Sequence, residues 1–268
     1  MTAAGEIRHD LVLVGGGHAH VQVLRAWAMR PMPGVRVTVV VDRPEAVYSG
    51  MVPGFVAGQY RREELEMDVR PLAIRAGARF IVTPAVGLDP RERLVHVAGR
   101  PPLRYDTAAF DVGSAVAGLA IPGVREHALA TRPIGRFVEH VDALVARVRE
   151  RGRCRLAVVG AGAGGVELAF AFRARLEREG VREASVLLLE SGPRVLAGYP
   201  AGTARRVEAN ARARGIEIRL GARVAEARAS ELVLADGQVV PFDALVWVTG
   251  AASLPLFHGA GVALDERG

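Results

Sequence analysis

The chain has 268 residues, half of them hydrophobic, which is enough for one large domain or two ordinary ones with substantial cores. The formal net charge is +6, and the isoelectric point is about 10.5. Every basic residue is arginine, scattered singly and in pairs. That pattern argues against a dedicated basic tract and against nucleic acid as a partner, while leaving a general attraction for anionic cofactors or lipid. A single cysteine, Cys154, excludes an intrachain disulfide and a CxxC zinc or redox site, and no metal site is expected.

Residues Leu11–Val14 form a first apolar run, followed by Gly15-Gly16-Gly17-His18-Ala19-His20. A helical pattern over Val21–Met29 ends before Pro31 and Pro33. The next strand, Val35–Val41, closes on Asp42. Tyr48-Ser49-Gly50-Met51-Val52-Pro53-Gly54-Phe55 reads as a loop rich in turn formers yet apolar. Loops of that mix line something or are packed under something. A helix over Asp68–Ala76 leads through Gly77 to a strand at Arg79–Val82. Val86–Leu88 and Leu94–Val97 flank the turn Asp89-Pro90-Arg91-Glu92-Arg93. Tyr105-Asp106 opens a last apolar run that ends in Asp111-Val112-Gly113-Ser114.

Pro122–Pro133 reads as a linker bracketed by prolines. Ile134–Glu150 has helical spacing, with Phe137, Val141, Leu144, Val145 and Val148 on one face. Cys154 then begins an apolar strand, where a buried structural thiol is expected. Leu156–Val159 meets Gly160-x-Gly162-x-x-Gly165, with Ala163 and Gly164 between the last two glycines, and a helix starts at once. The first glycine makes the turn, the second admits a pyrophosphate, and the third lets helix pack on strand. Glu190 closes the following strand. A glycine turn that binds nothing is the bland alternative. A loop with Gly192, Pro193, Gly198 and Pro200 leads to an arginine-rich helix, Ala204–Arg214. Short strands follow: Ile216–Leu220, Val224–Ala227, Leu232–Leu234, and, after an Asp236-Gly237 hairpin turn, Val239–Phe242. Ala244–Val248 ends in Thr249-Gly250.

No apolar run reaches the roughly 18 residues that span a bilayer. The longest candidate, 244–257, is interrupted by Thr249, Gly250 and Ser253. The first ten residues carry no signal-peptide apolar core. A cytoplasmic protein, at most peripheral to a membrane, is expected.

The two halves repeat one another. Ala76-Gly77-Ala78-Arg79-Phe80 answers Arg214-Gly215-Ile216-Glu217-Ile218, Tyr105-Asp106 answers Phe242-Asp243, and Asp111-Val112-Gly113 answers Val248-Thr249-Gly250. The expected fold is α/β, with two Rossmann-like dinucleotide-binding domains. Each has a parallel sheet and a small antiparallel β excursion. One defect stands out: the third fingerprint position of the first copy is His20, not glycine.

This duplication resembles the pyridine nucleotide-disulfide oxidoreductase superfamily, the flavoproteins with two dinucleotide-binding domains. The resemblance implies an FAD-binding domain over 1–121, an inserted NAD(P)H-binding domain over 122–250, and the start of a return to the FAD domain over 251–268. Gly15, Gly17, His18, Ala19, His20, Asp42 and Gly113 match the flavin site. Gly160, Gly162, Ala163, Gly164, Gly165, Glu167, Glu190, Arg194, Thr249 and Gly250 match the NAD(P)H site. A narrower similarity, carried by Leu11–His20 and Tyr48–Gly54, is to the type II NADH dehydrogenase-like branch associated with selenide, water dikinase. In that branch a histidine at the third glycine position is a regular feature.

The resemblance implies an FAD-dependent NAD(P)H oxidoreductase. Hydride passes from NADH to flavin, then electrons pass to a quinone-like or other small acceptor. The family's redox cysteine pair would fall at Tyr48–Phe55, where there is no cysteine, so a thiol relay is excluded. By the resemblance, Glu190 bonds the adenosine ribose and favours NADH, while Arg194 could serve a 2′-phosphate instead or be solvated. Glu167 faces the nicotinamide end or is a favourable carboxylate in the first helical turn. His18 and His20 contact flavin or phosphate or are local hydrogen-bonders. Asp42 binds the flavin's ribose or is a turn acid. Tyr48 and Pro53 border the isoalloxazine or belong to a packed loop. Glu167, Tyr48 and Pro53 are weak catalytic candidates. As partners the resemblance implies a small electron acceptor, a homodimer and selenide, water dikinase. Relatives re-enter the FAD domain after the threonine-glycine and continue through a further flavin motif, so the end at Gly268 reads as a C-terminal truncation. The alternative to an enzyme is a nucleotide-binding regulatory domain linked to that dikinase.

Overall fold

The computed structural model describes residues 6–265. The chain divides into two compact units: residues 6–48, 66–115 and 252–265 form the first, and residues 49–65 and 116–251 the second. No helix among the described residues is long and apolar enough to cross a membrane.

The first unit is built on β1 (His9–Val14), α1 (His18–Met29), β2 (Val35–Val41), β3 (Arg79–Val82) and β4 (Thr107–Phe110). Its four strands are all parallel, in the order β3-β2-β1-β4. Alternation along β1 decides which side chain goes where. Leu13 joins Val21 and Leu24 of α1, Val37 and Val39, and Ala73 of the helix Arg70–Arg75 on one face. Val12 and Val14 face the other way, onto Val95 and Val97 of a three-stranded antiparallel excursion formed by Ala85–Asp89, Leu94–Val97 and Leu103–Arg104. A sheet covered on both faces explains why β2 reads as a continuous valine run.

The second unit holds β5 (Leu129–Ala130), α2 (Ile134–Arg151), β6 (Arg153–Val159), α3 (Ala163–Arg178), β7 (Glu183–Leu189), α4 (Ala201–Ala213), β8 (Ile216–Arg219) and β9 (Ala244–Trp247). Its strand order is β5-β9-β6-β7-β8, again all parallel. Without β5 this is the order of the first unit. The antiparallel excursion recurs as Val224–Ala227, Glu231–Leu234 and Val239–Pro241, and its hairpin turns at Gly237 with φ 84°. Val159, Leu189, Leu232, Val240, Phe242 and Trp247 form the core on that side. The five expected apolar residues of α2 are all buried. Gly152 ends that helix in the left-handed conformation, its N–H donating to Val148 and Arg149 oxygens.

The duplication extends to individual hydrogen bonds. Asp10 N–H donates to Asp106 Oδ2 at 2.7 Å, and Asp106 N–H returns to Asp10 O at 2.9 Å. Arg155 N–H donates to Asp243 Oδ2 at 2.8 Å, and Asp243 N–H returns to Arg155 O at 2.8 Å. Each aspartate pins the entry of the last strand to the first.

Three local expectations differ from the structure. Pro122–Pro133 is no linker: it carries a helix at Val124–His127 and β5, which pairs with β9 through Leu129–Val246 and Ala130–Trp247. The Tyr48–Phe55 segment is not a loop. It coils as a 3-10 turn at Ser49–Met51 and a short helix at Val52–Val56 that buries Val52, Phe55 and Val56. Pro53 is tolerated there because it sits in the first turn, where its missing N–H costs nothing. The helix expected over 68–76 starts at Arg70, because Glu66–Asp68 pairs as a strand with Glu45–Val47.

Candidate functional site

The second glycine turn follows directly from backbone geometry. Gly160 N–H donates to Leu189 O at 2.8 Å, with φ 107°. A side chain there would be strained, and its Cβ would lie 2.8 Å from Val248 O. Gly162 is the N-cap of α3, and Ala163 is its first residue. A Cβ on Gly165 would lie 1.7 Å from Gly160 O. Only glycine lets the helix seat so closely on the turn, and Val248 faces this first turn with its side chain, its methyls 3.1 to 3.6 Å from Cβ positions on Gly165 and Gly164.

Glu190 ties the turn to the loop after β7. Its Oε2 accepts the Ala161 N–H at 2.8 Å and its Oε1 the Gly192 N–H at 2.8 Å, with Ser191 Oγ at 3.3 Å. An ionised carboxylate has about four lone-pair sites, so room remains for a hydroxyl. Arg194 turns back on its own loop and donates to Ala197 O.

A cavity of about 730 Å³ lies in the second unit, within the usual size of small-ligand sites. The structure brings Gly160, Gly162, Gly164, Glu167, Glu190, Thr249 and Gly250 together on its wall, and Pro53 joins them. Pro53 is there because Arg175 and Arg178 of α3 donate to Phe55 O at 3.5 Å and Gly58 O at 2.5 Å, clamping the short helix to α3. Glu167 is the fifth residue of α3, beyond the first turn, so the helix-turn carboxylate reading does not hold. Sequence reasoning missed Trp247, Arg132 and Arg223, which share the wall. Trp247 Nε1 donates to Ala117 O at 2.8 Å, and Thr249 Oγ1 donates to the same oxygen at 2.5 Å. A buried indole N–H needs an acceptor, but nothing in the chain's pattern points to Ala117.

Cys154 is buried on β6, and burial, helped by Asp243, pushes its thiol up to about 11. A protonated thiol is a poor nucleophile. Among the described residues no cluster of three or more His, Cys, Asp or Glu is arranged to hold a metal.

The first unit has the same turn with different contents. Gly15 N–H donates to Val40 O at 2.7 Å, with φ 97°, and Gly17 is the N-cap of α1. His20 is buried, and its Nδ1 lies 2.8 Å from Gly15 O. A carbonyl oxygen only accepts, so the proton sits on Nδ1. Asp111 takes the place of Val248: its N–H donates to Val14 O at 2.8 Å, as Val248 N–H does to Val159 O at 2.9 Å. Its Oδ2 accepts the N–H groups of Ala19 at 2.8 Å and His20 at 3.3 Å. His18 and Tyr48 are exposed, in edge-on ring contact with centroids 4.9 Å apart. Tyr48 thus belongs to the first unit and Pro53 to the second. Gly113 turns in the left-handed region just beyond β4.

The acids differ in register. Val14 pairs with Val40 and Val159 with Leu189, so Glu190 is one residue past its strand partner and Asp42 two past its own. Val41 fills the corresponding place, its Cγ1 3.3 Å from a Cβ on Gly16, and Asp42 lies exposed beyond it.

Two parallel open sheets, each with a glycine turn opening a helix, define a dinucleotide-binding α/β architecture. A family model described as pyridine nucleotide-disulphide oxidoreductase matches residues 9–268. The chain belongs to this oxidoreductase family. It is 23% identical over 263 residues to the NADH dehydrogenase-like protein YutJ of Bacillus subtilis, covering 96% of this chain and 70% of that protein. It is 24% identical over 276 residues to the demethylphylloquinone reductase NdbB of Synechocystis, covering 98% of this chain and 67% of that protein. Its fold matches NDH2 from Plasmodium falciparum in complex with NADH at TM-score 0.80 and 14% identity, over 93% of this chain and 56% of that one. The chain therefore spans roughly two thirds of these curated relatives and about half of that structure.

The family binds FAD and NAD(P)H. The second unit fits a dinucleotide: α3 opens toward an apolar methyl, with Glu190 beside it. The first unit has the matching glycine turn, but its helix N-terminus holds the Asp111 carboxylate.

Proposed function

We propose that this chain is the nucleotide-binding part of an FAD-dependent NADH oxidoreductase that passes electrons to a quinone-like or other small acceptor. The cavity of the second unit carries the reading, because it joins the α3 N-terminus, Glu190 and Glu167 on one wall. The backbone N–H groups opening α3 bind the cofactor diphosphate. Glu190, already oriented by two backbone N–H groups, accepts from the adenosine ribose and disfavours a 2′-phosphate. Arg194, engaged by Ala197 O, is not poised for that phosphate. Glu167, on the same wall, would face the nicotinamide end of the bound cofactor. FAD, when bound, supplies the two-electron carrier between nicotinamide and acceptor.

The only cysteine is buried with its thiol protonated, so this chain supplies no redox pair. The name of NdbB, a demethylphylloquinone reductase, supports a quinone as acceptor. An association with selenide, water dikinase is supported by the likeness of Leu11–His20 and Tyr48–Gly54 alone.

The test is a calorimetric titration of the purified chain with NADH and with NADPH. Then follows anaerobic addition of FAD, NADH and a water-soluble quinone, with absorbance followed in the visible. NADH should bind more tightly, and quinone reduction should require FAD. A protein that binds neither nucleotide overturns the reading.

A further inference from the structure

We propose that Asp111 is a built-in competitor for the flavin diphosphate in the first unit, so that FAD is a readily exchanged ligand of this chain rather than a tightly resident one. The inference rests on reading the first unit as the FAD site.

The molecule carries its own comparison. The two units place equivalent backbone groups on the last strand, Asp111 in one and Val248 in the other, each N–H bonded to the end of the first strand. In the second unit that residue turns methyl groups toward the first turn of α3. A methyl group cannot accept a hydrogen bond, so the N–H groups there keep their donor capacity for a ligand. In the first unit the same position turns a carboxylate inward, and it accepts from Ala19 and His20 in the first turn of α1. The carboxylate is seated in the glycine cradle itself: a Cβ on Gly17 would lie 2.3 Å from its carbon. The second glycine of the fingerprint exists so that a pyrophosphate can come close. Here its space faces an anion from the chain.

An anion at a helix N-terminus is favourable, and two anions in the same space are not. Diphosphate and Asp111 therefore exclude one another. The residue is half-buried, so its carboxylate is not sealed in the core.

The test compares the whole chain with Asp111→Asn and Asp111→Val. Asparagine keeps a capping oxygen without the charge; valine copies the second unit. FAD is titrated by fluorescence quenching with saturating NAD⁺ present, so that the second unit is already filled. Both variants should bind FAD about tenfold more tightly than the parent, or better. NAD⁺ affinity, measured separately, should stay the same and reports that each variant is folded. Equal FAD affinities in all three proteins overturn the proposal and leave the flavoprotein reading standing. Absence of FAD binding in all three overturns both.

Discussion

His20 Nδ1 donates to the carbonyl oxygen of Gly15 at 2.8 Å, a carbonyl equivalent to that of Gly160, which approaches the Cβ position of Gly165 to 1.7 Å in the other unit. One unit solves the helix-on-turn contact by having no side chain. The other solves it with an imidazole that bonds the carbonyl. These are two answers to the same backbone oxygen.

Changing either residue to alanine should cost stability. Gly165→Ala drives a methyl into Gly160 O and should cost about 1–3 kcal/mol, with NADH binding lost. His20→Ala leaves Gly15 O short of a partner and should cost about 1–3 kcal/mol, with NADH binding kept. Urea unfolding and NADH titration on both variants check this. Unchanged NADH binding in Gly165→Ala would show that α3 can rise off its turn.

Glu190→Ala removes the acceptor for Ala161 and Gly192 N–H and for the ribose. NADH affinity should fall about tenfold, as expected for losing a charge-assisted hydrogen bond. NADPH affinity should fall less, narrowing the preference. Paired dissociation constants decide; an unchanged ratio would remove Glu190 from nucleotide selection.

Cys154 should be silent toward thiol reagents in the native protein near pH 8 and react on unfolding, because burial holds its thiol protonated up to about 11. The linkage has a definite sign. The unfolded thiol ionises at its lower ordinary value, so the stability held below that value is lost as pH climbs toward about 11. Cys154→Ala should lose this alkaline slope. Unfolding free energies measured across that range in both proteins make the comparison.

Asp243 is held below the ordinary carboxylate range chiefly by its hydrogen bond with Arg155, whose Nε lies 3.1 Å from Oδ2. Its contribution is present at neutral pH and disappears as pH falls through that lowered value. Asp243→Asn should flatten the acid side of the stability profile. Parallel acid slopes in parent and variant would show that the pair is too exposed to matter.

Much of the fold is legible in the residues because glycine turns, strand ends and helix faces leave local marks. The Gly160–Gly165 fingerprint, the Asp236-Gly237 hairpin and the apolar stripe of α2 depend on neighbours in the chain. The duplication is visible because it repeats those local marks. What was hidden depends on distant partners. β5 is two residues long and exists because β9 offers an edge. The Val52–Val56 helix is held by arginines far along the chain. Within the candidate site, Glu190 and the glycines follow from pattern, whereas Trp247 acts through Ala117, 130 residues away. Asp111 stood in the aligned repeat, but only geometry shows its carboxylate facing α1. The register slip between Asp42 and Glu190 is equally invisible, since both close a seven-residue valine- or leucine-rich strand.

The contrast between Asp111 and Val248 also has a genetic reading. An aspartate codon becomes a valine codon by changing its middle base alone. A chain with two copies of one nucleotide-binding unit can therefore convert a self-filled cradle into an open one, or the reverse, in a single mutational step. The scaffold around it does not have to change. Which cofactor stays and which one exchanges is then a trait that selection can reset quickly, independently in each half of the gene.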